Sequence, residues 1–462
     1  MTKFSAKSKL VLLFLIIGFI SRIAFSIPVF FDPSRAFACT DARTYHSIAH
    51  NLLAGKGFSA NNALPYTPET TVTPGYPIFL AGIYAVFDNS TIAVVLFQIV
   101  INVILILIVF LFVKKRFGDT AALISGAILT LDFNTALFTT QLTTETLFTF
   151  LFISSILFLV EFVEQGRLRY ALFSGILIGL ATLVRPITLF LGVPLLLFII
   201  LSKLSWRKIA GWAIVIAVQL ACITPWIIRN KIVFDEYFYS AVSDMNLMRY
   251  HAVPLKASLE NKPLDLASKE LVESALGGKT CRNDAEYFRL TGTGARRYIL
   301  KHPLPYTGMA LLGGLGTLFS PLMMHEAGVF FAGQREPPSG SIMLELISLF
   351  SKGHFGDVFS LLWKNRLGYY GIAAFVVFVL YGLFHFAKLG FVLKAYILKG
   401  LKDASMLLSL TTGVYMLAFL GLAVVPRLRV PLEPLLALLA AIGIVSKKRE
   451  KNKEAKHERK NK

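Results

Sequence analysis

Apolar residues run along this chain in long blocks separated by short basic stretches, and the blocks set its architecture. The first block, Leu10–Phe31, follows a basic N-terminus that carries Lys3, Lys7 and Lys9. Others lie at Thr91–Val113, Thr120–Phe138, Thr144–Val163, Tyr170–Leu201, Ile209–Ile228, Tyr369–Phe386, Met406–Val425 and Pro431–Val445. A helix needs about 20 apolar residues to cross a hydrocarbon core, so these blocks predict transmembrane helices. Tyr170–Leu201 is long enough for two short spans, broken at Arg185-Pro186 where the proline ends or kinks the helix. Leu304–Met324 is apolar but glycine-rich, Met343–Trp363 is apolar but interrupted by Lys352-Gly353-His354 and Asp357, and topological parity requires that both cross or neither does. The pattern predicts an all-α polytopic membrane protein, a bundle of about ten to thirteen transmembrane helices.

Basic residues give the direction of each span. Lys114-Lys115-Arg116, Arg167 and Arg169, Lys203, Arg207 and Lys208, then Lys388, Lys394, Lys399 and Lys402 mark the inner side. Residues 1–9 are then a cytoplasmic N-terminus leading into an uncleaved first span rather than a signal peptide. Residues 10–445 form the membrane domain, with two polar loops, 32–90 and 230–302, on the outer side. The tail, 446–462, is dense in Lys and Arg and reads as a disordered cytoplasmic end near anionic lipid.

The first outer loop carries its own periodicity. In Cys39–Leu53, Tyr45, Ile48, Ala49, Leu52 and Leu53 recur at helical spacing on one face, with Arg43, His46, Ser47, His50 and Asn51 elsewhere. Thr40 is the expected N-cap and Gly55 the C′ stop. Such a helix lies on a membrane surface. Ile78–Phe87, too short to cross, reads as a second surface-lying or half-inserted helix.

Composition agrees: 55% of residues are hydrophobic and 16% charged, and the mean hydropathy is +0.64. The net charge of +20 raises nucleic acid as a partner, but the charges sit in short loops and at the termini, where the positive-inside bias explains them. Cys39, Cys222 and Cys281 show no metal-ligand spacing. Cys39 and Cys281 share the outer side, so a disulfide is open in an oxidising compartment, free thiols being the plainer expectation. There is no Walker A loop, no strand-borne GxGxxG and no GxSxG elbow. The inner loops are too short for a nucleotide-sugar domain, so any sugar donor is not a cytosolic one.

The outer side collects Asp41, Tyr45, Glu69, Glu145, Arg185, Arg229, Arg427, Arg429 and Glu433. Asp41, in the first turn of its helix, is stabilised by the helix dipole whether or not it works as a base. Glu145 opens an inward-going span, where an acid is costly unless it caps the helix, is paired or faces a cavity. Arg185 and Arg229 either snorkel or bind a lipid phosphate through their planar donors. Arg427 and Arg429 oppose the inside bias and so suggest an anionic partner, although Glu433 is a ready ion-pair mate. His46 and His50, at i and i+4, have a metal-compatible spacing but no third ligand.

Read in order, D-A-R-T-Y-H-S-I-A-H-N-L-L-A-G-K-G-F (41–58), T-P-G-Y-P-I-F-L-A (73–81), T-E-T-L (144–147), G-L-A-T-L-V-R-P (179–186), P-W-I-I-R-N (225–230) and R-L-R-V-P-L-E-P (427–434) resemble the GT-C superfamily of membrane glycosyltransferases. The resemblance is to the protein O-mannosyltransferase and lipid A aminoarabinose transferase type. It implies a transferase that takes a sugar from a polyprenyl phosphate at the outer surface of a prokaryotic inner membrane. It makes Asp41 the general base and Glu145 its partner acid. Tyr45, Arg185, Arg229, Arg427 and Arg429 become substrate-binding residues. Those enzymes carry Glu-Lys before the proline of the second motif, where this chain has Val72-Thr73. A divalent metal, held by Asp41 and Glu145 if present, is therefore left open. The implied acceptor is a lipid, a glycan or a protein. Two other readings stand beside this one: a flippase for a lipid-linked glycan, which predicts internal repeats and charges deep in the bilayer, and an assembly subunit that has lost the chemistry.

Overall fold

The computed structural model describes residues 6–202, 205–320, 356–357, 360, 368–401, 403–418, 422 and 426–446. Among these every regular element is helical. The helices are α1 (Ala6–Phe31), α2 (Thr40–Leu53), α3 (Gly75–Phe87), α4 (Thr91–Phe117), α5 (Asp119–Leu131), α6 (Phe133–Thr139), α7 (Glu145–Gln165), α8 (Leu168–Val184) and α9 (Gly192–Leu201). They continue as α10 (Trp206–Phe234), α11 (Val242–Asn246), α12 (Val253–Glu260), α13 (Leu264–Leu276), α14 (Asp284–Lys301), α15 (Pro303–Phe319), α16 (Gly368–Lys399), α17 (Ala404–Ala418) and α18 (Glu433–Val445). Short 3-10 turns lie at Pro33–Phe37, Pro186–Phe190 and Pro426–Leu432.

Among the described residues, five helices have the length and hydropathy to cross a membrane, or six if the bent pair α5–α6 is one span. Four shorter apolar helices, Gly75–Phe87, Leu168–Val184, Gly192–Leu201 and Ala404–Ala418, fill out the bundle. Residues 343–363 lie outside the description apart from 356–357 and 360. So does the tail from 447.

Two of the expected spans are broken, each for a local reason. The block Thr120–Phe138 bends by 56° between α5 and α6. Asp132 sits at the break, and its carboxylate accepts the Thr135 backbone N–H at 2.8 Å, which caps α6. The block Tyr170–Leu201 ends α8 at Val184. Arg185 is extended there (φ −143°, ψ 127°), the conformation a following proline enforces. α8 packs along α7 and α10. Its contact with α10 is close: a Cβ on Gly179 would lie 2.6 Å from the Cβ and Sγ of Cys222. Small residues are what allow membrane helices to approach in this way.

One expectation fails. Lys388 does not flank an inner loop. The helix begun at Gly368 continues to Lys399, and Lys388 is carried into the bundle, 3% exposed. α16 packs there against α18, which in turn covers α5.

At one end of the bundle the two polar segments meet. The backbone N–H of Ala241 donates to the Thr70 carbonyl at 3.0 Å, and the Ser240 hydroxyl to the Thr71 carbonyl at 2.6 Å. Beyond this seam α11–α14 form a small helical cap with its own core of Met248, Ala252, Val253, Ala267, Leu271 and Ala295. His251 joins the cap to α15: its Nδ1 lies 2.9 Å from the Tyr306 hydroxyl. Burial lowers the His251 pKa from 6.5 to about 4. The free imidazole therefore takes up a proton below pH 6.5 while the docked one stays neutral until about pH 4. The docking stability that His251 contributes is fully present above pH 6.5 and is lost as pH falls through that window. Hydrogen exchange over 242–301, corrected for intrinsic rates, is expected to rise between pH 6.5 and 4.5, and His251→Gln is expected to flatten that rise. An equal rise in the variant would clear His251 of the effect.

Candidate active site

α2 forms as its periodicity predicts, shifted by one residue at the start. Cys39, extended at φ −84°, ψ 137°, is the N-cap rather than Thr40, and Gly55 takes the left-handed φ of 71° expected at C′. Ala42, Ile48 and Ala49 are buried, whereas Leu53 is 46% exposed. Asn51 is not on a free face: it is buried and donates to the carbonyls of Ser59 and Asn61, both at 2.8 Å, tying the following loop to the helix. Asp41, in the first turn, has a half-exposed side chain that reaches Arg427.

Four charged groups meet there. Arg427 pairs through Nη1 with Asp41 Oδ2 at 2.9 Å and donates through Nε to Glu145 Oε1. Arg185 donates through Nη1 to the same Glu145 oxygen at 3.0 Å. Exposure grades across the set: Glu145 is 0% exposed, Arg427 15%, Arg185 18% and Asp41 46%. Two carboxylates and two guanidiniums thus form a balanced chain from the interior to the surface. Arg427 bridges the acids, and Arg185 spends one nitrogen on Glu145 while its guanidinium lies 5.6 Å from the Phe148 ring centroid. Tyr45 borders the group, edge-on to Tyr76 with centroids 5.2 Å apart. Burial, reinforced by the Asp41 charge, raises the Tyr45 pKa, so the phenol is a hydrogen-bond donor and not a base.

Each member is held by its own local device. Glu145 opens α7, where the orphan N–H groups favour an acid. The 140–144 connector before it is pinned by Gln98, which donates to the carbonyls of Thr139 and Gln141 at 3.0 and 2.8 Å and accepts from the Tyr76 hydroxyl at 2.9 Å. Arg185 is set by the second motif. Thr73 donates to the Val184 carbonyl at 2.8 Å, and Gly75 lies so close that a Cβ would stand 2.7 Å from the Leu183 carbonyl group and 2.8 Å from the Val184 nitrogen. Thr73-Pro74-Gly75 is therefore a clamp on the turn that aims Arg185. Gly75→Ala is expected to push α3 off that turn and lower activity by about 100-fold, since misplacing a reacting group by 1 Å has that cost. Steady-state kinetics on a variant of native thermal stability measures it; unchanged turnover would mean the clamp does not matter.

Two expected members lie elsewhere. Arg229 stacks over Trp226, Phe58 and Phe234, with its carbon 4.8, 5.7 and 5.2 Å from the ring centroids. It also donates to the Asn230 side chain at 2.9 Å. Arg429, expected to meet an anionic substrate, is corrected to an interior residue. It is 0% exposed and donates to Glu433 and to the carbonyls of Thr317, Leu318 and Ser320. Successive residues on a 3-10 turn point apart, so Arg427 and Arg429 face different neighbours. Among the described residues, Cys39, Cys222 and Cys281 form no disulfide.

The acids that would hold a divalent cation are Asp41 and Glu145. Arg427 already lies between Asp41 and Glu145 with ion pairs to both, and no group of three His, Cys, Asp or Glu gathers among the described residues.

Fold and site define a class: an all-helical membrane protein with paired acids and arginines where α2, α7, the end of α8 and the Pro426–Leu432 turn meet. Residues 71–228 match a family model described as dolichyl-phosphate-mannose-protein mannosyltransferase. Among solved structures, the chain is similar to the archaeal oligosaccharyltransferase AglB from Archaeoglobus fulgidus, in complex with an inhibitory peptide and a dolichol-phosphate. That match has a TM-score of 0.53 at 14% identity and covers 95% of this chain and 50% of that one. The apo form of an Archaeoglobus fulgidus oligosaccharyltransferase gives 0.52 at 15% identity, covering 94% and 50%. ArnT from Cupriavidus metallidurans in the apo state gives 0.40 at 13% identity, covering 95% and 78%. The chain spans about half the length of the oligosaccharyltransferases it matches. No curated protein matches it in sequence. The likeness shows a helical fold shared with these oligosaccharyltransferases, and the family-model match over residues 71–228 agrees with the resemblance read from the motifs.

Proposed function

We propose that the chain transfers a sugar from a polyprenyl phosphate to an acceptor hydroxyl at the extracytoplasmic face of a prokaryotic inner membrane. The observation that carries this reading is Arg427, which joins Asp41 to Glu145 and, through Glu145, to Arg185. Asp41 is reachable from outside and takes the hydroxyl proton as the oxygen attacks the anomeric carbon. The bond from that carbon to the phosphate oxygen breaks, and the departing lipid phosphate keeps the electron pair. Arg185 and Arg427 meet its charge with planar, preset donors. Tyr45 donates to the sugar or the acceptor. Direct attack by the acceptor oxygen, with no covalent sugar–enzyme intermediate, predicts inversion at the anomeric carbon. Glu145 orients both arginines through one oxygen, a role that needs no direct contact with substrate. The cap over 230–302 shapes the acceptor side, and its ordering gates entry. Mannose and aminoarabinose are the two family options for the sugar, and the acceptor is a lipid, a glycan or a protein.

One observation favours the flippase reading: Asp132, Lys388, Arg429 and Glu433 are charges inside the bundle. They are enclosed and paired with one another, however, and a transport path requires charges that meet a cavity. The deciding experiment supplies purified protein with polyprenyl-phosphate sugars and extracted acceptors, and follows free polyprenyl phosphate and the anomeric configuration of the product. Transfer with inversion is expected. Absence of both transfer and hydrolysis with every donor, alongside movement of a lipid-linked sugar across proteoliposomes, would replace this reading with the flippase.

A further inference from the structure

The interior charges form a single connected set. Lys388, whose side chain is 1% exposed, pairs with Asp132 Oδ2 at 3.2 Å and donates to Glu433 Oε2. Asp132 Oδ2 also accepts the Tyr381 hydroxyl at 2.7 Å. Glu433 Oε1 accepts from Arg429 Nε at 2.8 Å, and Arg429 Nη1 reaches the Thr317 and Leu318 carbonyls at 2.8 and 2.9 Å. Arg22, buried in α1, holds the last turn of α5 through the carbonyls of Leu129 and Thr130 at 2.7 and 2.6 Å.

The two ends of this set lie on the two elements that carry the site. Arg429 is two residues past Arg427 in the Pro426–Leu432 turn. Asp132 caps α6, and the 140–144 connector after α6 delivers Glu145. We propose that Asp132, Lys388, Glu433 and Arg429 are positioning residues that fix the separation of Arg427 and Glu145. Stability alone does not account for them, because buried ion pairs are commonly no more stabilising than well-packed apolar side chains of the same volume. What the ion pairs add is direction: each restricts one turn relative to the next. The catalytic part of this inference rests on the function proposed above.

The test is a charge-balanced double variant, Asp132→Asn with Lys388→Met. It removes one acid and one base together, keeps the Arg429–Glu433 pair, and leaves an N-cap on α6. It is expected to elute as folded protein, with kcat about 10–100-fold down and donor KM within a few-fold of wild type. Lys388→Arg, which keeps a charge able to reach both acids, is expected to retain most of kcat. Wild-type kcat in the folded double variant would overturn the proposal. A second readout needs no substrate. Arg427→Gln is expected to lower the melting temperature of the wild type, and to lower it less than half as much in the double-variant background. An equal drop in both backgrounds would overturn the positioning role even where no sugar donor is turned over, so its failure is distinct from that of the transferase reading.

Discussion

Arg427→Gln is expected to cost about a thousandfold in kcat/KM, the loss typical of removing one preset donor from a developing anion. The same change leaves Asp41 without its ion pair and Glu145 with Arg185 alone. Glu145 is fully buried, and stripping one partner from a buried pair costs about 3–5 kcal/mol. Arg427→Lys is not expected to rescue activity, because a single ammonium on a flexible stem cannot reproduce two donors directed at two acids. Adding Glu145→Gln to Arg427→Gln removes the uncompensated charge, so the double variant is expected to regain stability while staying inactive. Thermal unfolding and steady-state turnover of the four proteins check this. Near-wild-type turnover in Arg427→Gln would remove the arginine from the phosphate site.

That Arg427 should carry so much was partly visible in the sequence. Arginines between apolar helices, against the inside bias, pointed to an anion, and the ordered motifs pointed to Asp41, Tyr45, Glu145 and Arg185. Pattern cannot say which of two arginines two residues apart faces the site, because that depends on the 3-10 turn between them. Arg429 was thus read with Arg427, although it turns into the bundle. Arg229 sits at a span boundary in a cluster of aromatic rings, and neither feature distinguishes a substrate ligand from an anchor. The interior network has its own signal in the sequence. Asp132 in ILTLDFNTALF, Lys388 in LFHFAKLGFVL and Arg22 in FISRIAF are single charges inside apolar runs. The cost that made Glu145 notable applies equally to them. Hydropathy groups Lys388 with the lysines that follow it, because it blurs where a 32-residue helix leaves the bilayer. The breaks at Asp132 and Pro186 had clear local signals, whereas the docking of Gly75 on the Leu183–Val184 turn had none, because it depends on packing between distant segments.

Asp41→Asn separates proton transfer from phosphate stabilisation. The side chain is 46% exposed, and an ion pair at that exposure is worth about 0–1 kcal/mol, so the variant is expected to melt within a few degrees of wild type. Donor KM is expected to hold as well, because Arg185 and Arg427 keep Glu145 as their fixed partner. Turnover with a hydroxyl acceptor is expected to fall by about 10²–10⁴-fold, the range for loss of a positioned base. Azide sharpens the test. It is already an anion and needs no deprotonation, so in Asp41→Asn it is expected to restore release of polyprenyl phosphate and to give a glycosyl azide of inverted configuration. The same azide is not expected to restore Arg427→Gln, whose defect lies with the leaving group. If Asp41→Asn transfers to hydroxyl acceptors at the wild-type rate, Asp41 is not the base. If azide rescues Arg427→Gln as readily, the two residues do not divide the work between acceptor and leaving phosphate.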